Sequence, residues 1–339
     1  IFAGKIHTMI KIPYGESDFK KVMTEGYFYQ DRTFFIAELE KWASNFPVFL
    51  RPRRFGKSLF VSMLQCYYGL EFRDDFEKLF GSLYIGEHRT PLANNYMVLR
   101  LEFSRIDTAT HESTYRGFWL NTLSAARRFT GAYRNLFTEE QRGIIEGGKG
   151  PEEILKHIFD FTRQNNLPYK IYVLIDEYDH FANELLSFDM NRFKSDVSRN
   201  GFVRKFYESL KTAAGEGVVD RIFITGVSPV TLDSLTSGFN ISSHITTNVL
   251  FHDMLGFRQE EVEELLRKYD IEEDGIRDMM DDLRDWYDGY VFEPDARASL
   301  YNPDMVLYFL LQYGIKRTYP EVMLDINVVS DYRKIRNIF

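Results

Sequence analysis

A three-layer α/β/α fold, with helices covering both faces of a mainly parallel sheet, is what this sequence predicts, and three observations carry it. Apolar runs suited to buried strands recur at residues 46–50, 96–104, 170–176 and 220–229, and strands covered on both faces read as continuous runs rather than alternations. The stretches between them place apolar residues at helical spacing. The first run ends in a basic Gly-Lys-Ser loop and the third in a pair of carboxylates, the chemistry that α/β sheets carry at the carboxyl ends of their strands.

Composition sets the outer limits. The 339 residues, 44% hydrophobic and 16% aromatic, can bury one large core and a smaller one. A net charge of −8 argues against nucleic acid held across the whole surface, while a local basic groove stays open. The lone Cys66 excludes an intrachain disulfide, and without His or Cys at ligand spacing there is no zinc module. A reducing, cytoplasmic setting fits. No apolar run approaches the ~18 residues of a membrane span, and residues 1–10 carry no cleavable signal pattern. The chain starts at Ile1 rather than Met, so its true start is expected to be missing.

Residues 1–32 are rich in Gly, aromatic and polar residues without sustained period, and read as an extended arm packed on the core. Residues 34–42 are helical: Phe35, Leu39 and Trp42 fall at i, i+4 and i+7, and Asp31 or Thr33 can cap the start. The apolar strand that follows turns through Arg51-Pro-Arg-Arg-Phe-Gly-Lys-Ser58 into a helix. This reads as a phosphate-binding loop. Gly56 lets the backbone approach a phosphate, Lys57 reaches the β and γ phosphates, Ser58 ligates Mg²⁺, and the helix offers its first amides to the anion. The loop amides from Arg53, Arg54, Phe55 and Gly56 to Lys57, Ser58 and Leu59 are therefore the candidate nucleotide contacts. The first glycine of the usual Walker A spacing falls on Arg51, so this loop must turn by another backbone route.

The helix continues to Tyr68 with Phe60, Leu64, Tyr67 and Tyr68 towards the sheet, and residues 96–104 form the second strand, near whose end Glu102 is a structural or supporting carboxylate. Two or three helices follow between His111 and Asn165, broken by a Gly-Gly-Lys-Gly-Pro loop at residues 147–151. Gly147-Gly-Lys149 follows no apolar strand and is rejected as a phosphate loop. Lys170-Ile-Tyr-Val-Leu-Ile-Asp176-Glu177 reads as a Walker B strand. Asp176 at its carboxyl end can hold Mg²⁺ through water, and Glu177, one residue on, can polarise an attacking water. A core strand followed by an Asp helix cap is the plainer alternative.

Residues 181–186 should be a short helix, 187–200 a polar loop or broken helix, and 201–213 a firmer helix. The run at 220–229 ends in Thr225 and Ser228. Thr225 is the first choice for a polar sensor on a strand between the phosphate loop and Walker B, and Ser228 the second; the alternative is hydroxyls capping the next helix. Residues 248–251 are the best candidate for a fifth strand. From Gly256 the chain turns acidic and helical, with Val262, Leu265, Leu266 and Tyr269 on one face and Glu260, Glu261, Glu263 and Glu264 facing water. A small helical lid is expected, closed by a helix through residues 305–311.

These motifs resemble the AAA-ATPase-like family, whose members usually carry a C-terminal PD-(D/E)XK nuclease-like domain. The resemblance spans nearly the whole chain: Ile12-Pro-Tyr-Gly-Glu-Ser-Asp-Phe19, Tyr29-Gln-Asp-Arg-Thr33, Arg51-Pro-Arg-Arg-Phe-Gly-Lys-Ser58, Leu174-Ile-Asp-Glu-Tyr-Asp179, Thr225-Gly-Val-Ser-Pro229, Trp286-Tyr-Asp-Gly-Tyr290 and Tyr301-Asn-Pro303. The Arg-Pro-Arg-Arg-Phe loop is characteristic of the family, although Asp31-Arg32-Thr33 stands where Asp-Lys-Thr is usual. The resemblance implies a P-loop NTPase of the additional-strand class, order 5-1-4-3-2, with a helical lid and an arm near the nucleotide, where Tyr29 or Asp31 either meets the base or caps and packs.

The expected organisation is an arm and helix over residues 1–45, an ATPase core over 46–255 and a lid over 256–339. The expected activity is Mg²⁺-dependent binding and hydrolysis of ATP, with Lys57, Glu177 and Thr225 acting in turnover and Ser58 and Asp176 on the metal. Arg53 and Arg54 either add charge at the γ phosphate or pair with Asp179 or Glu177. A rival is a nucleotide-binding switch with negligible hydrolysis. Nucleic acid enters as a partner only through the nuclease-like domain; no stretch here supplies that site, since Glu102-Phe-Ser-Arg105 lacks the required lysine. An oligomer is compatible with the sequence.

Overall fold

The computed structural model describes residues 10–104, 106–188, 191, 193, 201–229, 239–269 and 271–324. The chain forms two compact units, one of Thr33–Pro52 with Phe60–Thr246, the other of Ile1–Arg32, Arg53–Leu59 and Thr247–Phe339. We call them the sheet unit and the helical unit.

Among the described residues the sheet unit is built on five strands: β1 (Pro47–Leu50), β2 (Tyr96–Glu102), β3 (Lys170–Asp176), β4 (Val219–Gly226) and β5 (Ser243–His244), in the order β2-β3-β4-β1-β5. Every pairing is parallel. All four β1 residues are buried, and β3 exposes only Lys170, which is why both read as unbroken apolar runs. One core takes Val48 and Leu50 from β1, Leu99 and Leu101 from β2, Val173 and Ile175 from β3, and Ile222 and Ile224 from β4. The helices His111–Ala132, Pro151–Gln164 and Phe202–Gly215 close on it with Phe118, Ile158 and Phe206. Their entries are set locally: Thr110 caps His111–Ala132 by accepting the Ser113 amide, and Pro151 opens Pro151–Gln164 at a position where a missing N–H costs nothing. Between these two lies a third helix, Glu139–Glu146.

Two expectations are corrected, Thr33 as a helix cap and residues 248–251 as a strand. Thr33 stands at the start of the helix Phe34–Lys41 without capping it; its hydroxyl instead accepts the Ile85 amide at 3.1 Å. Residues 248–251 are not a strand. Val249–Phe251 is a 3₁₀ turn capped by Asn248, belonging to the helical unit, with Val249 and Leu250 exposed, and the fifth strand is the shorter β5, whose neighbouring residue Ile245 donates to the Val48 carbonyl at 3.0 Å. The helix after Asp179 is His180–Phe188; the polar stretch expected after it lies mostly outside the described residues.

The helical unit packs Gln259–Lys268, Glu273–Tyr287 and Pro303–Lys316 around Val262, Leu265, Leu266, Ile276, Leu283, Val306 and Phe309. Glu261, read above as facing water, is buried. The Arg32 guanidinium grips it at 2.6 and 2.7 Å and also reaches the Gly256 carbonyl at 2.6 Å. Burial pushes against ionisation there, yet hydrogen bonds and charge from Arg32, helped by Arg258, hold its carboxyl below the usual value.

Candidate nucleotide site

Because β1, β3 and β4 run parallel, their carboxyl ends share one edge of the sheet, and Asp176 and Thr225 stand on that edge. Asp176 is 1% exposed. Its backbone carbonyl receives the Phe103 amide at 3.2 Å, and one carboxylate oxygen accepts the Glu177 amide at 3.0 Å. Glu177 takes a left-handed backbone, φ +51°, which costs a side-chain-bearing residue ~1–2 kcal/mol. The surrounding turn sustains that strain. Asp179, equally buried, accepts the Val227 amide at 3.0 Å, the Ser228 amide at 2.6 Å and the Asn183 side chain at 2.7 Å, while the Tyr178 hydroxyl donates to the Ser228 carbonyl. A Cβ on Gly226 would fall on the Asp179 carboxylate and the Tyr178 ring. The turn after β3 is thus locked to the end of β4, and Asp179 serves that lock.

Thr225 pairs with Phe49 in the β1–β4 register, and its carbonyl accepts the Tyr178 amide at 3.3 Å. Its hydroxyl oxygen is buried and has no hydrogen-bond partner among the described residues. A buried hydroxyl left so is costly by about 1–3 kcal/mol, and a ligand or ordered water is the usual remedy. Ser228 spends its amide and carbonyl on the turn. Glu102 lies opposite Asp176 in register, exposed, and accepts the Ser104 hydroxyl at 2.6 Å.

Arg51 explains the missing Walker A glycine. Its side chain is fully buried, lies over the Phe49 ring at 4.1 Å, and donates to the carbonyls of Leu50 at 2.8 Å and Thr246 at 3.0 Å. Its amide bonds the Gly226 carbonyl at 3.1 Å. The position therefore fastens the end of β1 to its two neighbours, and the turning is done further on, by Arg54 at φ +68° and Gly56 at φ +83°. The helix Lys57–Tyr68 then starts, with no acid in its first turn. Lys57 is nearly buried, Ser58 and Leu59 are half-buried, and Gly56 is exposed. Within the helical unit the Phe55 ring is buried against Tyr290 and Phe292, and Arg54 lies 3.8 Å from Asp304. Arg54 thus has an ion pair that neither Asp179 nor Glu177 supplies.

Comparison with known proteins decides the family. Residues 13–236 match the family model described as Predicted AAA-ATPase. The chain belongs to that family. Membership in the predicted AAA-ATPase family supports a P-loop ATPase, and the loop and strand edge just described lie within the matched segment. A curated relative, "Uncharacterized protein in vnfD 5'region" of Azotobacter chroococcum mcd 1, is 27% identical over 307 residues, which is 88% of this chain and 52% of that protein. The chain thus spans about half the length of that relative. Among solved structures, the Walker-type ATPase PABY2304 of Pyrococcus abyssi aligns with TM-score 0.48 and 11% identity over 90% of this chain and 74% of that one.

For an AAA-ATPase-like chain the cofactor question is whether these donors suit a magnesium nucleotide. Among the described residues no cluster of three or more His, Cys, Asp or Glu could hold a metal alone, but Mg²⁺ on a triphosphate needs only one or two protein oxygens beside phosphate and water. Ser58 and Asp176 are donors of that type, and the unpartnered Thr225 hydroxyl is a further polar atom suited to a ligand. No helix among the described residues is long and apolar enough to cross a membrane. A groove of about 630 Å³ in the sheet unit, lined by Glu152, Lys156, Arg163, Lys205 and Glu216 among others, includes none of these residues. Sequence reasoning missed Arg51, Asp304, Tyr290 and Phe292. Only the aromatic motif around Tyr290 gave any signal, and it reads as packing.

Proposed function

We propose that this chain binds and hydrolyses ATP with Mg²⁺. The observation that carries the reading is the loop after β1: two left-handed residues, Arg54 and Gly56, lead into a helix whose first turn holds Lys57 and Ser58 and no acid. A run of amides in that conformation is an anion-binding concavity, reinforced by the positive end of the helix. In this reading the backbone from Arg53 to Leu59 cradles the phosphates, Lys57 neutralises their charge, and Ser58 and Asp176 hold the metal. The bound Mg²⁺ supplies charge neutralisation at the phosphates. Glu177 orients water and takes its proton, and Thr225 donates its unpartnered hydroxyl to the polar array.

In the same reading the functional divisions are an arm and first helix over residues 1–45, an ATPase core over 46–255 and a lid subdomain over 256–339. Turnover gates an effector or nucleic-acid-processing segment of a longer protein. The deciding experiment measures Mg·ATP binding by calorimetry together with phosphate release. Binding with steady release is expected. Binding without release would leave a nucleotide switch, and no binding would remove the reading.

A further inference from the structure

The segment Arg53–Leu59 groups with the helical unit, and there Phe55 has a built seat. Its ring meets Tyr290 edge-on with centroids 4.8 Å apart and Phe292 edge-on at 5.4 Å. Gly256 completes the seat. It stands at φ +105°, and a Cβ there would lie 3.1 Å from Leu300 and 3.4 Å from the Phe55 ring. The seat hangs on a small backbone frame: Tyr290 and Leu300 exchange hydrogen bonds of 3.3 and 3.0 Å, and Phe257 and Tyr301 exchange bonds of 3.1 and 2.8 Å. Next to the frame, the Asn302 side chain accepts the amides of Asp304 and Met305, fixing the start of Pro303–Lys316. Asp304, in that first turn, is the residue that faces Arg54 at 3.8 Å.

The two left-handed residues of the loop stand on either side of Phe55. Left-handed backbone at Arg54 persists only where its surroundings over-determine it, and here a buried ring on one side and an ion pair at Arg54 itself supply the restraint. We infer that Phe55, Tyr290, Phe292 and Asp304 are positioning residues that hold the phosphate loop in its anion-receiving shape, so that the Trp286-Tyr-Asp-Gly-Tyr290 and Tyr301-Asn-Pro303 motifs belong to the nucleotide site without touching nucleotide. This rests on the phosphate-loop reading above. It gives the two motifs a task in binding rather than in packing alone. It also makes the Phe55 side chain a support for the loop, with only its amide turned to ligand duty.

The test compares Mg·ATP Kd, thermal midpoint and hydrogen exchange of the loop amides in wild type, Tyr290→Phe, Tyr290→Leu and Asp304→Asn. Tyr290→Phe keeps the ring and should bind as wild type does. Tyr290→Leu removes the edge-to-face contact and should weaken binding by about tenfold or more, the scale of a small misplacement at a binding site, with faster exchange at residues 53–58. Asp304→Asn keeps shape and removes the charge facing Arg54; a loss of up to about fivefold is expected at an unchanged midpoint. Wild-type Kd in both Tyr290→Leu and Asp304→Asn would overturn the inference while leaving the phosphate loop in place. If Tyr290→Leu does not fold, the Asp304→Asn result alone decides. Absence of binding by the wild type would overturn the phosphate-loop reading and this inference with it.

Discussion

Gly56-Lys57 and Gly148-Lys149 each stand at the approach to a helix, Lys57–Tyr68 in one case and Pro151–Gln164 in the other. Their surroundings treat the two helix ends in opposite ways. Before Lys57 the chain leaves a buried strand and turns through two left-handed residues, and the first helical turn carries no acid. Before Pro151 the chain leaves another helix, the first turn holds Glu152 and Glu153, and Glu153 already accepts the Lys149 amide at 2.8 Å. A Cβ on Gly148 would press on Ile154, so that glycine serves packing. A helix start binds an anion when its amides and positive end remain available, and at the second site the protein's own carboxylates have taken that place. The dipeptide is the same. What differs is whether the protein's own acids occupy the helix start.

The largest effect that can break this comparison comes from the two lysines themselves. Lys57→Ala should abolish phosphate release and weaken Mg·ATP binding at least ~10-fold, hydrogen bonds to charged groups being worth about 1.5–3 kcal/mol, whereas Lys149→Ala should change neither. Equal losses in calorimetry would collapse the distinction. Next, Glu177→Gln should leave binding intact and slow turnover by ~10²-fold or more, as loss of a general base does; unchanged phosphate release would move the base elsewhere.

A third helix start, that of Gln259–Lys268, extends the comparison, because its first-turn acid Glu261 is consumed by Arg32. Since that carboxyl is held low in the folded chain, its contribution is complete above the ordinary carboxylate range and is lost as pH falls through its own folded pKa. Unfolding free energies from urea titrations, followed from neutral pH into acid, should therefore fall further for wild type than for Glu261→Gln, by about 1–3 kcal/mol; parallel slopes would contradict the sign. The smallest effect transplants the acidic pattern of the second helix start to the first. Leu59→Glu, with Leu59→Gln as the neutral control, should weaken nucleotide binding about two- to fivefold, the scale of one charge at a helix end, and equal Kd values in the two variants would count against the dipole argument.

The chemistry-bearing strands were legible because burial on both faces leaves its mark in continuous composition, as at β1 and β3. Where a decisive partner is far away in sequence, the local pattern misled. Glu261 sits in a run of glutamates that periodicity assigns to solvent, and only Arg32, 229 positions earlier, brings it inside. Thr33 has the chemistry of a cap and is drawn off by the Ile85 amide. Residues 248–251 looked like a strand from their apolar side chains, yet Val249 and Leu250 are exposed, while β5 is two residues of Ser and His with nothing in composition to announce it. In the candidate site, the residue types that can meet phosphate and metal were readable. The backbone route of the loop was not, because the Phe55 seat that steadies it is assembled from Gly256, Tyr290 and Phe292, far along the chain.

Arg51 bears on protein engineering. A designer restoring the customary glycine at that position would expect a freer loop and a more orthodox site. The substitution would instead strip the donor from the Leu50 and Thr246 carbonyls, empty the space above the Phe49 ring, and remove a tie between the end of β1 and the chain just after β5. The departure from the common motif is thus a hinge pin: orthodoxy at this single residue would be bought with the rigidity of the sheet edge from which the loop departs.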